Sequence, residues 1–168
     1  MSEDLTAWVM HSAPRALAYA ITLVRNETIA EDLLQDCYQR LLARAEHYDL
    51  PVDGEKLLFR SITNACINWT QRHRRHVSLD GAGSTAVAST GDPVQTAMAG
   101  ELSDAVDEAL ADLPVNQRAA VELHALGHSA VEIAEILDTT GGNVRVLLHR
   151  GREQLASRLK PFLEDPRS

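Results

Sequence analysis

The chain has 168 residues and a formal net charge of -8, long enough for one domain or two small ones and poorly suited to holding nucleic acid by bulk charge alone. Its 45% hydrophobic content supports a core, and only 4% aromatic content makes that core aliphatic. Few runs are rich in β-branched residues, so an all-α fold without strands is expected.

Glu3 and Asp4 stand where a secretory leader needs a basic start. The most apolar early segment, 13–24, is interrupted by Pro14 and Arg15 and is too short to span a bilayer. A reducing, cytoplasmic setting without membrane contact is therefore expected. Pro14 is placed at the start or kink of a first helix. Thr28-Ile29-Ala30-Glu31 has the form of a capping box opening a second. Beyond it, Leu33, Leu34, Cys37, Leu41 and Leu42 form an apolar stripe, while Asp32, Gln35, Asp36 and Gln39 recur at helical spacing on the opposite side. The stretch 49–54 looks like a break, followed by a helix over 55–75. Its apolar positions are Leu58, Ile62, Ala65, Cys66 and Trp69; Arg60, Asn64, Asn68 and Arg72 face elsewhere, and it ends in the basic run Gln71-Arg72-His73-Arg74-Arg75-His76.

No lysine or arginine occurs between Arg75 and Arg118, a gap containing seven carboxylates from Asp80 to Asp112. Its first half is small, polar and glycine-rich, a flexible acidic linker by composition. The chain thus divides into two small helical domains, 1–76 and 105–163, joined by a linker over 77–104. In the second, Pro114 suits a first helical turn and Gly127 a left-handed helix end. Ser129-Ala130-Val131-Glu132 is another capping box, Asp138-Thr139 a tight turn, and Thr140 a cap for a last helix whose inner face is Val144, Leu148, Gly151, Leu155 and Leu159. Two short helices, a tight turn and a longer basic helix make a helix-turn-helix.

Three stretches together resemble an extracytoplasmic-function (group IV) sigma factor, the small two-domain class of bacterial RNA polymerase specificity subunits. They are A-E-D-L-L-Q-D-C-Y-Q-R-L-L, L-L-F-R-S-I-T-N-A-C-I-N-W-T-Q-R-H-R-R, and L-P-V-N-Q-R-A-A-V-E-L through E-I-A-E-I-L to N-V-R-V-L-L-H-R-G-R-E-Q-L. The resemblance implies a −10-binding domain, a linker and a −35-binding domain, with no catalytic chemistry and no cofactor. It implies polymerase contacts for Asp32, Gln35, Asp36 and Gln39 on the clamp helices of the largest subunit, and a contact of the C-terminal domain with the flap. Arg60, Asn64, Asn68, Arg72, Arg74 and Arg75 then face the opened −10 strand, with Asn68 standing where the family usually has an acidic residue. The segment 46–55 matches the loop that shapes a pocket for a flipped base. Gly142, Asn143, Arg145, Val146, His149 and Arg150 match −35 contacts. Leu147, where the family often has a cation, implies a weaker grip or a thymine-methyl contact. An anti-sigma partner is common in the family.

Two other readings start from the same residues: a stand-alone helix-turn-helix regulator with a sensory first domain, and a protein adaptor that has lost DNA binding. The basic run 72–76 argues against the regulator, because a sensor domain does not need it. Cys66, His73 and His76 lack a standard zinc spacing, so no metal is expected, and Cys37 and Cys66 are assigned to the core. An acidic body fits a subunit tethered to polymerase, where weak separate contacts reinforce one another through effective concentration.

The linker generates the first prediction. In the family it threads polymerase channels later used by RNA, channels that must be basic, so a lysine-free acidic segment acts there as a weak electrostatic mimic. Asp80→Lys with Asp92→Lys is expected to reduce open-complex formation or promoter escape. A neutral Gly/Ser linker of equal length preserves reach; wild-type run-off transcription from it across ionic strengths would reduce the segment to a tether.

Overall fold

Ser2 opens the first helix by accepting a hydrogen bond from the Leu5 amide, and Glu3 and Asp4 occupy a first turn whose free N–H groups favour negative charge. The computed structural model describes residues 2–80 and 97–164. Helix α1 (Glu3–Val24) runs through Pro14 instead of starting there. The proline withdraws one backbone bond, but it lies on the exposed side, one turn above the exposed Met10, where water can satisfy the freed carbonyl. Arg25, left-handed at φ 59°, ends the helix by donating its N–H to the Ile21 carbonyl at 2.7 Å.

Helix α2 (Glu27–Leu42) is capped by Asn26, whose side chain accepts from the Ile29 amide at 3.1 Å. The expected Thr28–Glu31 box is therefore not the cap: a better capping residue comes two positions earlier and takes the role. A short 3-10 turn (Ala45–His47) leads to α3 (Leu50–Asp80). This long helix begins five residues before the expected start at Glu55. Pro51 sits in its first turn, where a missing N–H costs nothing, and Gly54 is buried against the Trp8 indole. What looked like a break is a helix start.

The remaining helices are α4 (Ala97–Ala111), α5 (Val115–Ala125), α6 (Ala130–Ile136) and α7 (Gly141–Leu163). The expected linker 77–104 is thus helical at both ends, and residues 81–96 lie outside the described part. Pro114 caps α5 one position before its first turn, and Gly127, at φ 95°, makes the turn after it. Ser129 and Glu132 form the expected reciprocal box. Asp138 takes the left-handed turn at φ 52°, and the Thr140 hydroxyl accepts from the Asn143 amide at 3.1 Å. Pro161 stands inside the last turn of α7.

Tyr19, Leu23, Cys37, Leu58, Phe59, Ile62 and Cys66 centre the core of the first unit, and Leu123, Ile133, Ile136 and Val144 that of the second. Buried hydroxyls are satisfied in relays: Tyr19 Oη donates to Thr63 Oγ1, which donates to the Phe59 carbonyl, and Tyr38 Oη donates to Ser12 Oγ, which donates to the Trp8 carbonyl.

The two units do not stand apart. α1 packs on α5, α3 packs on α5 and α6, and the two cores form one continuous cluster. Guanidinium groups tie the seam to backbone carbonyls. Arg118 of α5 donates to Leu23 and Thr22 at the end of α1, and also to Ala111 and Leu113 in its own unit. Arg15 of α1 donates in return to Leu126, the residue closing α5, at 3.0 Å, and Arg25 donates to Asp107 at 2.9 Å. The His128 and Phe59 rings meet edge to face at 5.1 Å.

Two glycines predict opposite signs. A Cβ at Gly54 would lie 2.7 Å from the Trp8 ring, whereas one at Gly100 meets nothing within 4 Å. Gly54→Ala should cost about 1–2 kcal/mol net, overpacking outweighing helix propensity, and lower Tm by about 2–8 °C. Gly100→Ala should stabilise by about 0.5 kcal/mol. Thermal unfolding of both variants checks the pair.

Candidate functional site

Helix α2 presents two chemically different sides. Ala30, Leu34, Cys37, Tyr38 and Leu41 are buried, and Asp32, Gln35, Asp36 and Gln39 are all exposed. Among the described residues no ion pair engages Asp32 or Asp36; only the Asp36 carbonyl is used, by Arg40 Nε at 3.2 Å. Both carboxylates are open to solvent. Burial was legible here because a single helix facing a core has one wet side.

On α3 the same division holds. Leu58, Phe59, Ile62, Thr63 and Cys66 are buried, and Asn64, Asn68, Arg72, Arg74 and Arg75 form an exposed polar and basic row. Trp69, assigned to the core from spacing, is only half-buried and lies flat on the exposed His73, with ring centroids 4.8 Å apart and planes 9° apart. The i, i+4 spacing of Trp69 and His73 was the available signal for this pair. Arg60 departs from the row, because its guanidinium lies 3.9 Å from Asp138, in the turn of the helix-turn-helix. One turn earlier Lys56 pairs with Glu135 of α6 at 2.8 Å. Beside the segment 46–55, a cleft between α1 and α3 is lined by Trp8, His11, Ser12, Pro51, Val52 and Glu55.

Helix α7 buries Val144, Leu148 and Gly151 and half-buries Leu155 and Leu159. Gly151 is needed for close packing, since a Cβ there would lie 2.7 Å from Val121. The opposite side exposes Gly142, Asn143, Arg145, Val146, His149 and Arg150. Asn143 is oriented by donating to the Thr139 hydroxyl at 2.9 Å. Leu147 is half-buried and packs against the core.

Among the described residues no helix is long and apolar enough to cross a membrane, and no three metal-ligating side chains are gathered. Burial raises both cysteine thiols, Cys66 to about 12.

Comparison with known proteins bears on both units. Residues 8–76 match the family described as Sigma-70 region 2, and residues 103–155 the one described as Sigma-70, region 4. The chain is 29% identical over 148 residues to the ECF RNA polymerase sigma factor SigW of Bacillus subtilis, covering 82% of this chain and 79% of that one. It is 33% identical over 150 residues to SigE of Mycolicibacterium smegmatis, covering 88% and 58%. Among solved structures it matches the sigma factor RpoE of Bartonella quintana, co-crystallised with the anti-sigma factor NepR, with a TM-score of 0.80, 26% identity, and coverage of 95% and 98%. The chain belongs to the extracytoplasmic-function sigma factors. As such it binds core RNA polymerase and directs promoter-specific transcription initiation. A stand-alone regulator is set aside, because the first unit of this sigma factor is region 2 and not a sensor.

Proposed function

We propose that this sigma factor divides its work among three exposed rows of side chains. Asp32, Gln35, Asp36 and Gln39 dock on basic clamp helices of the polymerase largest subunit. Asn64, Asn68, Arg72, Arg74 and Arg75, joined by Arg60, track the opened −10 strand. Gly142, Asn143, Arg145, Val146, His149 and Arg150 meet the −35 element in the major groove, while the C-terminal unit rests on the flap. The observation carrying this reading is that each row is exposed and backed by buried apolar residues on the same helix, so partner contact leaves the core undisturbed.

The chemistry suits the task. Trp69 stacked on His73 supplies a flat aromatic surface beside Asn68 and Arg72, the kind on which an unpaired base stacks for about 1–3 kcal/mol. Gly141 and Gly142 at the start of α7 leave open space above backbone N–H groups, which favours close approach of a phosphate. Each row alone binds weakly, and tethering to one polymerase makes the contacts cooperative. No bond is made or broken by this chain; it acts by binding, without cofactor or metal, where the polymerase works. The likeness to RpoE with NepR supports an anti-sigma partner for this chain as well.

Reversal of one charge tests docking. Asp36→Arg should abolish core-polymerase binding with circular dichroism unchanged, because like charges at such an interface cost several kcal/mol. Pull-down of core enzyme at wild-type level would rule the docking role out. Arg145→Ala should weaken promoter binding by holoenzyme by about 1–3 kcal/mol if it grips a base edge. A loss equal on all sequences, with a shallower salt dependence, would assign it to phosphate. The overall reading is tested by run-off transcription with core polymerase on a promoter library: initiation at a defined promoter set is expected, and transcription no different from core alone would sink it.

A further inference from the structure

Asn143 is held twice at the start of α7. Its backbone N–H donates to the Thr140 hydroxyl at 3.1 Å, and its side-chain nitrogen donates to the Thr139 hydroxyl at 2.9 Å. The first bond caps the helix; the second does not. In α6 the equivalent residue, Glu132, reaches back to the N–H of the cap itself and closes a reciprocal box. Asn143 bypasses its cap and turns its amide to the residue before it. Helix stability does not explain this start, because Gly141, Gly142 and Asn143 are three weak helix formers in succession.

We propose that Thr139 is a positioning residue that sets Asn143 to read adenine in the −35 element. The proposal rests on the −35 row assigned above. Thr139 is half-buried and its N–H is anchored on the Ala134 carbonyl at 2.9 Å, so its hydroxyl is a fixed point. Asn143 is exposed, and behind it lies a recess of about 160 Å³ lined by Asn116, Leu137, Asp138, Thr139 and Leu147. Without a tie, the amide would be free to turn into this recess or to exchange its two ends. The Thr139 bond holds the nitrogen inward, and the Asp138 carboxylate on the same recess favours that sense. The carbonyl oxygen and the second amide N–H are left for a ligand. In the major groove adenine answers both, offering its N6 amino group to the oxygen and N7 to the N–H. Guanine and thymine present acceptors there and no donor, so the oxygen meets no partner on either. Cytosine satisfies the oxygen alone. The choice of amide orientation is thus made before DNA arrives, and preorganisation of this kind lowers the ordering cost of the contact.

Holoenzyme binding to double-stranded promoter DNA, with each −35 position varied through the four bases, tests this. Wild type should favour adenine at one position by about 10-fold over guanine or thymine. Asn143→Ala should flatten that position and leave base preference at the others as in wild type. Thr139→Val keeps the branched shape and deletes the hydroxyl; it should lower the adenine preference about 3-fold at the same position. Thr139→Ser, which keeps the hydroxyl, should restore it. In the Asn143→Ala background Thr139→Val should have no further effect. A hydroxyl that only supports the fold would instead weaken binding equally on every sequence and in both backgrounds. That result would overturn the proposal, as would a preference for guanine or thymine at the Asn143-dependent position, or no position dependent on Asn143. Arg145→Ala in the same assay separates this contact from the wider reading. Weakened promoter binding there, with no change from Asn143→Ala, would remove the adenine contact and leave the row in place; no loss from either would remove both.

Discussion

One buried guanidinium organises this molecule. Arg118 is 5% exposed, and its terminal nitrogens donate to four carbonyls: Thr22 and Leu23 where α1 ends, Ala111 where α4 ends, and Leu113 just before α5. Helix ends leave carbonyls without partners, and a buried cation needs compensation; placing one against the other serves both, with the buried Nε alone left without a partner. Burial, with Arg25 and Arg74 nearby, pulls the Arg118 pKa down to about 10, so the group is still charged at neutral pH. The sign of the helix dipole at each carboxyl end favours that charge. The path from α4 into α5, and the approach of α1 to α5, both depend on it.

The exposed rows of α2, α3 and α7 follow from local periodicity, which is why they could be read from the chain before any fold was known. A stripe such as Leu34, Cys37 and Leu41 faces inward whatever the rest of the molecule does. Helix starts were harder. Asn26 outcompetes Thr28 as a cap, and Asp49-Leu50-Pro51 begins a helix because Trp8, distant in sequence, covers Gly54 and closes the turn. Leu147 and Trp69 show the same limit from the other side, since spacing alone cannot tell a half-buried position from a fully wet or fully dry one. The seam was invisible for a different reason. Arg118 and Arg15 reach carbonyls 95 and 111 residues away, and a backbone carbonyl carries no sequence signature.

The acidic balance takes on a structural meaning beside this seam. Glu135 and Asp138 do not simply decorate a surface: they lie against Lys56 and Arg60 of α3. Asp112 similarly faces Arg158 across α4 and α7. Negative charge is therefore partly committed to holding the chain together, while Asp32 and Asp36 stay uncommitted on α2. The same residue type is paired in one place and solvent-facing in another, and geometry alone distinguishes them.

The two thiols carry one more consequence. Cys37 and Cys66 are fully enclosed between α2 and α3, and burial holds both in the protonated form, Cys66 with a pKa of about 12. At neutral pH the thiolate, the nucleophile that attacks peroxides and disulfides, is therefore scarce at both positions. These two sulfurs are thus poorly placed to sense an oxidant. An oxidative signal acting through this chain has to arrive by some group other than these thiols, or by another molecule.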